Sequence, residues 1–226
     1  MPEENVPSPP APEPPRSGAA SCLLGVLGCG GVVLVGVVVL IAALAWKSSG
    51  STDFPRVAPE EMADRAVQRS EEAYRVLGFT RTVPPGVRKL GVSTRNTLGS
   101  SPCYDGGLLG LADETIDGAY SMSHSWALDQ VPESQAVPGL RALHRSLEDD
   151  GWKITSFDEG ERGDSWDLFV QRDDGKERMS FTWYRDREYF TGGASVPCAY
   201  DPEWTEGEDT PGGGLEPPAL GAAPRG

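Results

Sequence analysis

The run CLLGVLGCGGVVLVGVVVLIAALAW, Cys22–Trp46, holds 25 residues without a charged side chain. It constrains the chain more than any other feature, because a helix of about 20 apolar residues spans the hydrocarbon core of a bilayer. Trp46 followed by Lys47 sets an aromatic ring at the interface and a cation just beyond it, a common end for such a helix. A cleaved signal sequence starts basic and carries an apolar stretch of only about 7–15 residues. Residues 1–21 hold three Glu and a single Arg, so an uncleaved anchor is the expectation. Ala43–Leu44–Ala45 resembles a cleavage site and leaves removal after Ala45 as the alternative. VLGC, ending at Cys29, is a poor lipobox, because a long apolar run follows it where a polar linker is needed. Ser21, Gly25 and Cys29 recur every four residues on one face, a spacing that lets two membrane helices approach. Gly and Cys are also common in such helices, and that is the plainer reading.

The anchor divides the chain. Residues 1–20 are Pro-rich with no hydrophobic face, so a disordered cytoplasmic tail is expected. Pro7, Pro10, Pro12 and Pro15 offer overlapping PxxP spacings for an aromatic groove. Residues 21–46 are the transmembrane helix, 47–56 a linker and 57–201 the folded domain. Residues 202–226, acidic and Gly/Pro-rich, read as a second disordered tail. Near the helix, Arg16 lies on one side and Lys47, Arg56 and Arg65 on the other. The positive-inside rule mildly favours the large domain inside. The cysteines point the other way, and folded domains translocate largely regardless of charge. The expectation is an N-terminus in the cytoplasm and a main domain outside.

Within 57–201 the periodicity predicts an α+β ectodomain, with two helices packed on one face of a mostly antiparallel sheet. Pro59, Glu60 and Glu61 open a helix that Gly78 stops. Residues 83–117 read as loop, with a short strand near Val87–Val92. In GAYSMSHSWALDQV, Tyr120, Met122, His124, Trp126 and Leu128 alternate with small residues, the signature of a strand. Pro138 and Gly151 bracket a helix carrying Leu140, Leu143, His144 and Leu147. Strands WKITSFD, SWDLFVQ, ERMSFTWY and EYFTGGASV follow, the middle two joined at Asp-Gly. Gly192 and Gly193 suggest a bulge in the last.

Chemistry is sparse. A net charge of −14 argues against nucleic acid, which needs a basic face. Cys103 and Cys198 are the only thiols outside the apolar run, and too few ligands accompany them for zinc. In an oxidising compartment a disulfide is expected, with free thiols the alternative. Closing a loop of nearly 100 residues would stabilise the fold by up to about 4–5 kcal/mol in the loop-entropy model. Ser121, Ser123 and Ser125 alternate with His124 and so point away from it, which rules out a Ser/His pair within this strand. His124 and His144 read as hydrogen-bonded or packed side chains. The acidic turn Asp158–Asp164 does not match an EF-hand and reads as solvated. No catalytic constellation, cofactor loop or metal-ligand set stands out.

The single N-terminal span, the Leu140–Trp152 run into DGW, the Trp-rich meander and SVPC at Ser195–Cys198 together resemble the small membrane-anchored or lipoprotein-like envelope proteins of actinobacteria. The resemblance covers residues 22–200 and departs from the lipoprotein members in lacking a lipobox. It implies an envelope location and a structural disulfide, and no activity. The expected function is a single-pass membrane protein, seated in the lipid bilayer, whose extracytoplasmic domain binds an envelope protein or polymer and is not an enzyme. The alternatives are an enzyme or inhibitor-like module with a site near Tyr120, His124 and Trp126, and a signalling protein acting through its Pro-rich tail.

Overall fold

The computed structural model describes residues 53–88, 93–105, 114–160 and 163–221. The chain divides after Ser51, and all described residues belong to the second unit. The 1–20 tail, the Cys22–Trp46 run and the Ser21/Gly25/Cys29 stripe lie outside them. Among the described residues no helix is long and apolar enough to cross a membrane.

The elements in order are α1 (Pro59–Val76), β1 (Gly86–Val87), β2 (Arg95–Asp105), β3 (Glu114–Leu128), α2 (Glu133–Asp149), β4 (Lys153–Asp158), β5 (Ser165–Arg172), β6 (Glu177–Tyr184), β7 (Tyr189–Ser195) and β8 (Ala199–Tyr200). The strands form one sheet in the order β1-β2-β3-β7-β6-β5-β4, with β8 also pairing β3. Every pairing between these strands is antiparallel. The fold is α+β, as the periodicity predicts. Helix α1 lies over β3 and β7, and α2 over β4 and β5. The buried helix side chains Tyr74, Leu140, Leu143 and Leu147 meet Trp126, Leu168, Phe181 and Phe190 of the sheet in one core.

Both helices stop by the same device. Gly78 (φ 76°) and Gly151 (φ 79°) take the left-handed conformation just past the helix end. The next residue then folds back. Phe79 N–H donates to the Tyr74 carbonyl at 3.3 Å, and Trp152 N–H to that of Leu147 at 2.9 Å. Gly78 and Gly151 donate to Arg75 and Glu148 at 3.1 Å each. These are Schellman motifs, and each buries an aromatic ring against its own helix, Phe79 within 5.2 Å of Tyr74. LGF and DGW are therefore stop signals that also fill the core.

Several expectations need correction. Helix α2 begins at Glu133, and Pro138 lies inside it. Proline there removes one bond, to the Ser134 carbonyl, and the buried stripe outweighs that loss. The loop-rich stretch contains β2, which pairs with β3 over most of its length. Its Gly, Ser and Pro residues hide a strand that pairs with β1 and β3. The strand near Val87 is only Gly86–Val87, and residues 89–92 lie outside the described set. Strand β7 carries no bulge. Its register runs unbroken against β3 and β6, and the shifts fall at Pro102/Tyr104 and Ile154/Ser156. The end of the expected linker belongs to the domain, since Phe54 packs on Tyr200 with ring centroids 5.6 Å apart.

The largest correction concerns 202–226. Residues 202–221 are an ordered strap lying against α1, β2 and the start of β3. The Trp204 ring packs on Gly118. Ser100 Oγ donates to the Pro211 carbonyl at 2.5 Å. Leu220 and Val83 exchange both backbone hydrogen bonds, at 2.9 and 3.0 Å, and Leu220 is fully buried. The strap helps α1 close the β2–β3 end of the core, where Met62, Ala63 and Ala66 pack with Tyr120 and Met122 and Gly212 lies against Met122 and Pro59.

Candidate functional site

Strand alternation leaves the sheet with two unlike faces. Tyr120, Met122, His124 and Trp126 of β3 are at most 1% exposed, beneath α1 and the strap. Tyr120 Oη donates to the Val57 carbonyl at 2.6 Å. Its pKa is raised by burial first, and then by Asp201 and Glu60. The Trp126 ring stacks on Phe190 at 5.6 Å. The expected Tyr120/His124/Trp126 site is thus a row of core side chains.

His124 belongs to a buried polar clasp that the sequence did not suggest. Asn96 donates both amide hydrogens, to the Val83 carbonyl at 2.9 Å and the Pro218 carbonyl at 2.8 Å. Its Oδ1 can therefore only accept, from His124 Nε2 at 2.6 Å. This fixes the His124 tautomer with the proton on Nε2. Nδ1 is buried and makes no hydrogen bond among the described residues, so a second proton would bring a charge with nothing to receive it. Burial lowers the pKa to about 4. The unfolded chain, with a histidine near 6.5, binds more protons than the folded chain between those values. Stability present above pH 6.5 is therefore lost as the pH falls toward 4, by on the order of 3 kcal/mol. Urea unfolding at pH 7 and pH 4.5 measures this. His124→Gln keeps a donor for Asn96 and should shrink the acid loss, whereas an unchanged loss would remove His124 as its cause.

The remaining candidates are occupied structurally. His144 stacks on Phe157 with centroids 4.5 Å apart. In the acidic turn, Glu159 accepts from Arg141 at 2.7 Å and Asp158 from the Gly160 N–H at 3.0 Å. Among the described residues no group of three His, Cys, Asp or Glu could hold a metal ion. Glu177, 8% exposed in its side chain, is shared by Arg69 and Arg172, and Arg172 lies over the Trp152 ring at 4.5 Å. This network pins α1 to the β5–β6 hairpin and is already neutralised.

Cys103 and Cys198 form a disulfide, with Cα atoms 6.2 Å apart across 95 positions of sequence. Cys103 falls at the β2 register shift, between Pro102 and Tyr104. The bulged residue leaves the ladder there and faces the segment between β7 and β8. The bridge therefore ties β2 to the connection between β7 and β8.

No described helix lies on the other face of the sheet. Cross-strand register aligns Ser125, Gly193, Ser180 and Phe169 in one row, and Ser123, Ser195, Arg178 and Gln171 in the next. Together they line a groove of about 540 Å³. Serine and glycine floor it, and their short side chains leave a hollow on the sheet. Among the described residues the hydroxyls of Ser125, Ser180 and Ser195 donate no hydrogen bond, and Thr155 Oγ1 caps the Phe169 carbonyl at 2.9 Å. Phe169 is 40% exposed. Arg178 Nε is held by the Gly175 carbonyl at 2.6 Å, and among the described residues its guanidinium has no carboxylate partner. The small face of β3 was legible as Ser121, Ser123 and Ser125. Its continuation through Gly193, Ser180 and Arg178 needs the strand order 3-7-6-5, which no local pattern carries.

No family model, curated protein or solved structure matches the chain.

Proposed function

We propose that the chain is a single-pass membrane protein anchored by Cys22–Trp46, with its N-terminus in the cytoplasm. Its disulfide-tied domain lies outside and binds a partner through the open sheet face. The observation that carries this reading is the Cys103–Cys198 bridge in a domain that follows an uncharged 25-residue run. Structural disulfides persist in extracytoplasmic compartments, and a run of that length spans a bilayer. The binding role rests on the groove, a broad concave surface of the sheet that no described helix covers. Its exposed ring and unengaged hydroxyls suit a partner better than bulk water alone.

Membrane extraction tests the anchor and its orientation together. With a C-terminal epitope, the chain should stay in the pellet through alkaline carbonate washing, and protease added to intact cells should remove the epitope. Release by carbonate would sink the anchor. An epitope protected until the cells are lysed would reverse the topology.

A further inference from the structure

We propose that the groove on the open sheet face binds an extended, carboxylate-bearing glycan, with Arg178 as the anion anchor and Phe169 as the plate on which a sugar ring rests. This deepens the reading of the face as a binding surface and rests on it.

Charge selects the ligand's sign. The chain carries 34 acidic and 20 basic residues, yet the groove is lined by one cation, Arg178, and by no carboxylate among the described residues. On the same face, Asp167 sits one register row beyond Phe169 and accepts from Ser165 Oγ at 2.8 Å. An anionic group is therefore repelled over most of this protein and attracted here. A planar guanidinium matches a carboxylate by two parallel hydrogen bonds.

The rest of the lining selects the ligand's body. The hydroxyls of Ser125, Ser180 and Ser195 each donate and accept, and they recur on neighbouring strands about 4.8 Å apart. Such an array matches a chain that itself carries many hydroxyls and little charge. Phe169 adds an apolar plate beside them, held at its carbonyl by Thr155.

A peptide is the poorer fit. Extended peptides pair with sheet edges through backbone groups, and on this face β3, β7 and β6 are inner strands whose backbone pairs with its neighbours. A second copy of the chain is also disfavoured, since stacking two such faces would bring Arg178 against Arg178 with no acid between them.

The test uses the full chain in detergent micelles and three probes: polygalacturonate, neutral dextran and polyglutamate. Polygalacturonate should bind saturably, and dextran about tenfold more weakly. Polyglutamate should not bind. Arg178→Gln and Phe169→Ala should each weaken polygalacturonate binding by about tenfold while the domain stays folded, as its circular dichroism spectrum shows. Absence of saturable polygalacturonate binding, or binding indifferent to both substitutions, would overturn the proposal. Polyglutamate binding that depends on Arg178 would also overturn it, while leaving the open face as the binding surface. Carbonate extraction and protease access are read independently, so loss of the glycan would not be confused with loss of the anchor.

Discussion

Gly192→Ala is expected to destabilise the domain by about 3 kcal/mol, at the upper end of the usual range for overpacking. A Cβ at this position would lie 2.2 Å from Cζ2 and 2.4 Å from Cε2 of Trp126. The indole has nowhere to go. Phe190 stacks on it at 5.6 Å with an interplanar angle of 3°, and the edges of Tyr74 and Phe79 close in at 5.1 and 6.1 Å. In a strand, alanine would ordinarily gain about 0.5–1 kcal/mol over glycine through lower backbone entropy, so the steric cost decides the sign. The double substitution separates the causes. Trp126→Phe removes the atoms that clash, and Gly192→Ala should then cost little in that background. Chemical denaturation of the four variants gives the coupling, and a full cost retained in the Trp126→Phe background would show that the clash is not the reason.

The second large effect belongs to the strap. A stop codon after Thr210 removes Pro211 to Gly226 and should lower stability by about 4 kcal/mol. Leu220 alone is fully buried, and losing a fully buried leucine side chain typically costs about 2–5 kcal/mol. The truncation also strips one acceptor from Asn96 and the acceptor of Ser100, which water can only partly replace. Leu220→Ala should reproduce roughly half of the loss. A truncated domain with an unchanged urea midpoint would mean that the strap rests on the fold without holding it.

The strap also shows where sequence legibility ends. Its acidic, Gly- and Pro-rich composition has no period and no stripe, so nothing local marks it as ordered. What orders it is tertiary: the Ser100 hydroxyl, the Asn96 amide and the Val83 backbone, all more than 100 positions away in sequence. Strand β2 is hidden because its Gly, Ser and Pro residues carry no alternation, and only its pairing with β3 and β1 defines it. The β5–β6 hairpin was legible because it is local, with alternation on both sides of Asp-Gly. The helix ends were legible as Gly78 and Gly151, but the return of Phe79 and Trp152 onto their own helices was not. Gly192 and Gly193 carried a real signal that was misassigned. Glycine in a strand marks either a bulge or a close approach, and only the position of Trp126 decides between them. The open face was half visible, through the serines of β3. The cation that gives it a sign, Arg178, lies two strands away across the sheet.

The central claim is that an oxidised domain stands outside the membrane, and thiol labelling of intact cells tests it most directly. Cys22→Ser and Cys29→Ser leave Cys103 and Cys198 as the only thiols, and a membrane-impermeant maleimide then reports on them. The account predicts no labelling before reductant and labelling of both after it. Labelling of both cysteines before reduction would contradict the bridge, and failure to label after a membrane-impermeant reductant, until the cells are lysed, would contradict the location.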